Sequence, residues 1–144
     1  MRWREGMTPR PSCGAGSGME HSTVMLSKAE EHLRSAEILW RHGQYRDAVS
    51  RAYYASFAAM YALVGEPLRG RWEHPGLRGV FVQQLSGRGV PAAECRRLRQ
   101  RLRSLHDARI DADYTPVAID ETTVQEALAI AREILEVVRR HEQR

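Results

Sequence analysis

The sequence predicts an all-α protein, an up-and-down four-helix bundle with an additional short helix. Apolar residues recur at spacings of three and four along separate stretches, the mark of helices that bury one face. The stretch from Ser50 to Leu63 has no polar face beyond its first turn, so it reads as a helix buried on all sides. No stretch shows the strict alternation of a half-buried strand, and no heptad or internal repeat runs for a useful length.

Each element follows from local signals. Residues 1–24 carry glycine, proline, serine and charge in no period and are expected to form a flexible N-terminal tail, with the helical bundle over 25–144. The tail has no apolar core and so is no signal peptide, and Met19 and Met25 stand as alternative starts. Ser27 and Glu30 have capping-box spacing, and Ala29, Leu33, Ala36 and Trp40 form the inward stripe of a first helix that ends before Gly43. The second runs from Tyr45 to Val64 and stops at Gly65-Glu66-Pro67. Its alanines at 48, 52, 55, 59 and 62 make one narrow seam of the smallest side chain, which lets a neighbouring helix approach closely. His74-Pro75-Gly76 opens a third helix with Leu77, Val80, Phe81 and Leu85 on one face, ended by Gly87-Arg88-Gly89. A fourth starts near Pro91 with Leu98, Leu102 and Leu105 inward. Thr123 and Glu126 offer a cap for a long final helix carrying Val124, Ala127, Leu128, Ala131, Ile134, Leu135 and Val138.

Composition narrows the class. A chain of 144 residues, 42% hydrophobic and 28% charged, suits one globular domain rather than a disordered chain. The only long uncharged run, Ala52 to Gly65, is too short and too rich in alanine and tyrosine to span a bilayer. Cys13 and Cys95 stand far apart with no C-x-x-C pair, which fits free thiols in a reducing, cytoplasmic setting. A net charge of +4 permits a nucleic-acid partner without requiring one.

The chemistry centres on Arg109. The rhythm of the leucine stripe, four then three then four, lands on it, and a guanidinium near a core is costly unless it is paired. Asp113, four residues on, has the spacing of a helical ion pair; Asp111, Asp107 and Asp47 are the other carboxylates considered. Two roles are consistent with this arrangement: a structural pair that braces the end of the fourth helix, or a phosphate-binding arginine.

The combination Ser50-Arg51-Ala52-Tyr53-Tyr54-Ala55, His74-x-Gly76-Leu77-x3-Phe81, Leu105-x3-Arg109-x3-Asp113-Tyr114 and a final helix with Glu126-Ala127 resembles the HEPN domain, over about residues 27–140. More narrowly it resembles the small stand-alone prokaryotic HEPN proteins. The resemblance implies a helical bundle that dimerises, often beside a minimal nucleotidyltransferase partner, with many relatives acting as toxins of toxin–antitoxin pairs. Active relatives are metal-independent ribonucleases that use an arginine followed after four to six residues by a histidine, so neither metal nor cofactor is expected.

This sequence departs from that pattern, because the residue five after Arg109 is Tyr114. His106 follows Arg99 and Arg101 at formally matching intervals, but arginine is so frequent here that the match reads as accidental, and His106 stands in reserve. The expected catalytic set is therefore Arg109, Asp113 and Tyr114 with His106. Arg51, Tyr54, His74 and Arg103 are expected to bind nucleotide or RNA. Two further roles are open. Tyr114 packs its ring and exposes its hydroxyl, or that hydroxyl binds phosphate or accepts a nucleotide from a partner; His74 caps the third helix, or lines the same cleft. The run Arg96, Arg97, Arg99, Arg101 and Arg103, with Arg69, Arg71 and Arg78, is a solvated face or an RNA-backbone surface. The function expected is a HEPN toxin–antitoxin component acting with a nucleotidyltransferase, with metal-independent endoribonuclease activity left open because Tyr114 stands where active relatives carry histidine. The alternatives are a non-catalytic nucleotide- or RNA-binding regulatory dimer and a plain helical interaction protein.

Overall fold

The computed structural model describes residues 14–142, with side chains from Glu20 onward. It contains five helices, α1 Gly14–Arg41, α2 Tyr45–Val64, α3 His74–Gly87, α4 Ala92–Tyr114 and α5 Glu121–Glu142, and no strand among the described residues. Helix α2 packs against all four others, α1 also touches α5, and α4 also touches α3 and α5. The buried helix read from sequence is thus the axis of the bundle, and α3 is the additional short helix.

The alanine seam explains this central position. Ala48, Ala52, Ala55, Ala59 and Ala62 are all buried, and Ser56, also buried, turns its hydroxyl back to the Tyr53 carbonyl at 2.7 Å. A polar group inside the core therefore carries its own partner. The leucines of α4 and the apolar stripe of α5 close the core from the other side, with Leu98, Leu102, Leu105, Val124, Leu128, Ile134 and Val138 buried.

The α1–α2 turn is closed by two bonds, from Gly43 N to Trp40 O at 3.0 Å and from Gln44 N to Leu39 O at 2.8 Å. This Schellman pattern needs a left-handed residue, and Gly43 supplies it at φ 76°. So short a turn makes α1 and α2 antiparallel neighbours.

Two boundaries differ from the sequence reading. Helix α1 begins at Gly14 rather than at Ser27, so the Ser27–Glu30 pair lies within a helix and caps nothing. Long-range contacts extend it: Ser22 Oγ donates to Glu142 at 2.5 Å, and the His21 ring lies 5.2 Å from that of Tyr61. The remainder of the expected tail, residues 1–13 with Cys13, lies outside the described residues. Helix α5 is capped one residue before its start, by Asp120, whose Oδ1 accepts from Thr123 N and Oγ1, both at 2.9 Å. Thr123 is therefore the third helical residue and not the cap.

Cys95 is a buried free thiol. No helix among the described residues is long and apolar enough to cross a membrane.

Candidate functional site

The leucine stripe of α4 carries Arg109 inward, where it is only 8% exposed. Helix α2 meets it with aromatic rings. The guanidinium carbon lies 5.2 Å from the ring centre of Tyr53, 5.4 Å from Tyr54 and 5.3 Å from Tyr114, so three faces surround one cation. Arg109 Nη2 donates to the Tyr54 hydroxyl at 2.7 Å and reaches the Tyr114 hydroxyl at 3.4 Å. Its Nε lies 3.0 Å from Asp113 Oδ2 in an ion pair whose N–H is not aimed at the carboxylate. Ser50 Oγ donates to the same Asp113 oxygen at 3.2 Å. Burial works against the charge of Arg109, but Tyr54, Tyr114 and Asp113 outweigh it and hold its pKa above the ordinary value.

Beside this cage stands a pair of imidazoles. The rings of His74 on α3 and His106 on α4 lie 6.3 Å apart, and Tyr53 touches both, at 5.4 and 5.8 Å between centres. Burial holds both histidines below the ordinary imidazole pKa; Arg109 is the next cause for His74, and Arg78 for His106. Both are therefore neutral near pH 7. Burial pushes Tyr53 up to about 12, so its hydroxyl keeps its proton, and it shares a hydrogen bond of 2.5 Å with Nδ1 of His74. His106 Nδ1 faces Asp107 at 3.9 Å.

One residue outside the expected set holds the end of α4 in place. Arg46, in the first turn of α2, donates through Nη1 to the carbonyls of Asp111 (3.0 Å), Ala112 (2.8 Å) and Thr115 (2.9 Å), and through Nη2 to Val117 O. The last carbonyls of a helix have no partner within it, and a guanidinium fork suits several at once. Arg46 thereby fixes the turn from which Asp113 and Tyr114 project.

The cluster joins two buried groups, Arg109 and Tyr53, to the exposed Tyr114. Concavities of about 280, 450 and 360 Å³ lie between α4 and α5, between α3 and α4, and beside the α1–α2 turn, and no cluster residue lines any of the three. Among the described residues no group of histidine, cysteine and carboxylate side chains could hold a metal ion.

The family profile of the HEPN domain matches residues 22–141. The chain belongs to the HEPN family. It is 32% identical over 114 residues to the protein of Methanocaldococcus jannaschii named "Putative toxin MJ0605", covering 79% of this chain and 81% of that one. The crystal structure of TT1696 from Thermus thermophilus superposes with a TM-score of 0.63 at 22% identity, over 83% of this chain and 97% of that one, a likeness of fold.

Within this HEPN bundle the structure brings together Arg109, Asp113, Tyr114, His106, Tyr54 and His74 of the residues expected from sequence. His74 does not cap α3: the cap position is Glu73, which makes no side-chain capping bond, and the imidazole turns to Tyr53 instead. His106 joins through Tyr53 and His74 rather than through Arg99 or Arg101 on its own helix. Arg51 sits at the margin. Its guanidinium lies 5.9 Å from the Tyr54 ring centre, yet its Nη1 donates to His32 Nδ1 at 3.0 Å. Arg103 is exposed, and no contact among the described residues ties it to the cluster. In the arginine run, Arg97 pairs with Glu94 at 2.9 Å and with Glu133, and Arg101 with Glu133 at 2.6 Å, so part of that charge is already neutralised.

Proposed function

We propose that this HEPN protein is the toxin-like component of a pair with a nucleotidyltransferase, and that as a dimer it cleaves RNA without metal at the Arg109 cluster. The observation that carries the reading is a caged cation beside two imidazoles held neutral. A neutral His106 is the base: it takes the proton of a ribose 2′-hydroxyl as that oxygen bonds to phosphorus. Arg109 stabilises the charge that grows on the phosphoryl oxygens. The P–O5′ bond then breaks, and the leaving oxygen takes a proton from the Tyr114 hydroxyl, leaving a 2′,3′-cyclic phosphate. Tyr114 is 68% exposed beside Arg109, and it is also the acceptor that a nucleotidyltransferase partner would modify. A nucleotide there would cover Arg109 and silence the site. The toxin name of the Methanocaldococcus relative supports the same role.

A mixed RNA incubated with the purified protein in excess chelator tests the reading. Wild type is expected to cut it, with Arg109→Ala and His106→Ala each reducing the rate by about 100-fold or more at matched folding. A second reading is favoured by the hydrogen bonds of Arg109, which go to Tyr54 and Tyr114. It makes the protein a non-catalytic RNA- or nucleotide-binding dimer, and a clean wild type that binds RNA without cutting it would establish that.

A further inference from the structure

We infer that Arg78 on α3 is a second phosphate-binding group of the Arg109 site, so that the site grips a single-stranded RNA at two phosphates rather than one. The inference rests on the proposed RNA reading and extends it to a residue outside the cluster's own bonds.

Arg78 follows His74 by one turn of α3, and the two share a helix face. Helix α3 packs on α2 and α4, which carry the tyrosines, His106 and Arg109. Arg78 is half-buried, and its Nη1 is fully covered with no hydrogen-bond partner. No carboxylate pairs with it among the described residues, although its charge reaches Tyr53, His74 and His106. The other part-buried arginines around the site have partners: Arg46 uses carbonyls, Arg51 uses His32, and Arg109 uses Tyr54 and Asp113.

A covered cation without a counter-charge is a cost to the fold. That cost falls if an anion arrives, because its charge offsets that of the guanidinium and its oxygens bond the part of this half-buried side chain that remains accessible. The neighbouring imidazoles are neutral and bring no competing negative charge. Two cations beside such a pair suit the repeated oxyanions of a chain. The ligand class is therefore a phosphodiester strand.

The test uses the full chain and a short, fluorescein-labelled 2′-O-methyl RNA that cannot be cut, with binding followed by anisotropy across a salt series. Arg78→Gln is expected to weaken binding about tenfold and to reduce the slope of log K against log salt by about 0.7, the value for one phosphate contact on a single strand. Arg78→Lys should keep the slope, and exposed Arg132→Gln, at a residue paired with Glu37 between α5 and α1, should match wild type. Arg78→Gln should also melt no lower than wild type, since it removes an unpaired charge. Unchanged affinity and slope in Arg78→Gln while Arg109→Lys binds weakly would overturn the inference and leave the RNA reading standing. A melting temperature that falls in Arg78→Gln would mark Arg78 as structural and overturn it too. A folded wild type that binds no RNA would overturn both.

Discussion

Replacing Arg46 with alanine should loosen the end of α4 and the site built on it. The side chain donates to four main-chain carbonyls, three of them part-buried and the one at Val117 exposed. A hydrogen bond to a charged group contributes roughly 1.5–3 kcal/mol when sheltered. Water replaces much of that at an accessible helix end, so the summed loss on truncation comes to about 2 kcal/mol. For a chain of this size that is a fall of roughly 4–8 °C in melting temperature. Urea unfolding followed by circular dichroism measures it, with the midpoint moving and the slope unchanged. Arg46→Lys should recover less than half, because one ammonium cannot span carbonyls from Asp111 to Val117. RNA affinity should fall in step, since Asp113 and Tyr114 project from the freed turn. A loss below about 0.5 kcal/mol, the level of an ordinary surface change, would refute the clamp.

Other consequences are open to measurement. Arg109→Lys keeps a charge but loses the planar fork between Tyr54 and Tyr114, so cleavage should drop by at least tenfold; a drop in stability with activity retained would mark Arg109 as a brace. His74 and His106 are held below the ordinary imidazole value of about 6.5, so the unfolded chain binds more protons in that window. Stability should be full above about pH 6.5 and fall as pH drops through it, and His106→Gln should flatten the midpoint–pH curve. In a spectrophotometric titration of the native protein Tyr53 and Tyr61, both pushed up to about 12, should ionise well above the ordinary tyrosine value of 10.0. Ala59→Leu, at a fully buried seam position, should cost about 3 kcal/mol by overpacking, read from the urea midpoint.

Periodicity made the fold legible. The bounds of α2 and α3 follow from glycine and proline punctuation, and the alanine seam identified the central helix. Contacts made far along the chain were not legible. Gly14, Gly16 and Gly18 read as breakers, yet the helix that contains them is docked further along by Ser22 on Glu142 and His21 on Tyr61. Of the site, Arg109 stood out because a cation interrupted a leucine rhythm. His106 looked accidental when its spacing was judged along α4 alone, and only the packing of α2 and α3 brings Tyr53 and His74 to it. Arg46 sits in the first turn of α2, where a basic residue opposes the helix dipole, so nothing local marked it as a clamp.

The alanines of α2 and the tyrosines of the site alternate along one rigid rod. Ala52 and Ala55 set how near the neighbouring helices come, and Tyr53 and Tyr54, between them, set where Arg109 and His74 rest. The helix thus acts as a ruler whose graduations are read at the Arg109 cluster. A methyl group added to its hidden side would displace the rings around Arg109, so evolution in this protein cannot retune the core and the cluster independently.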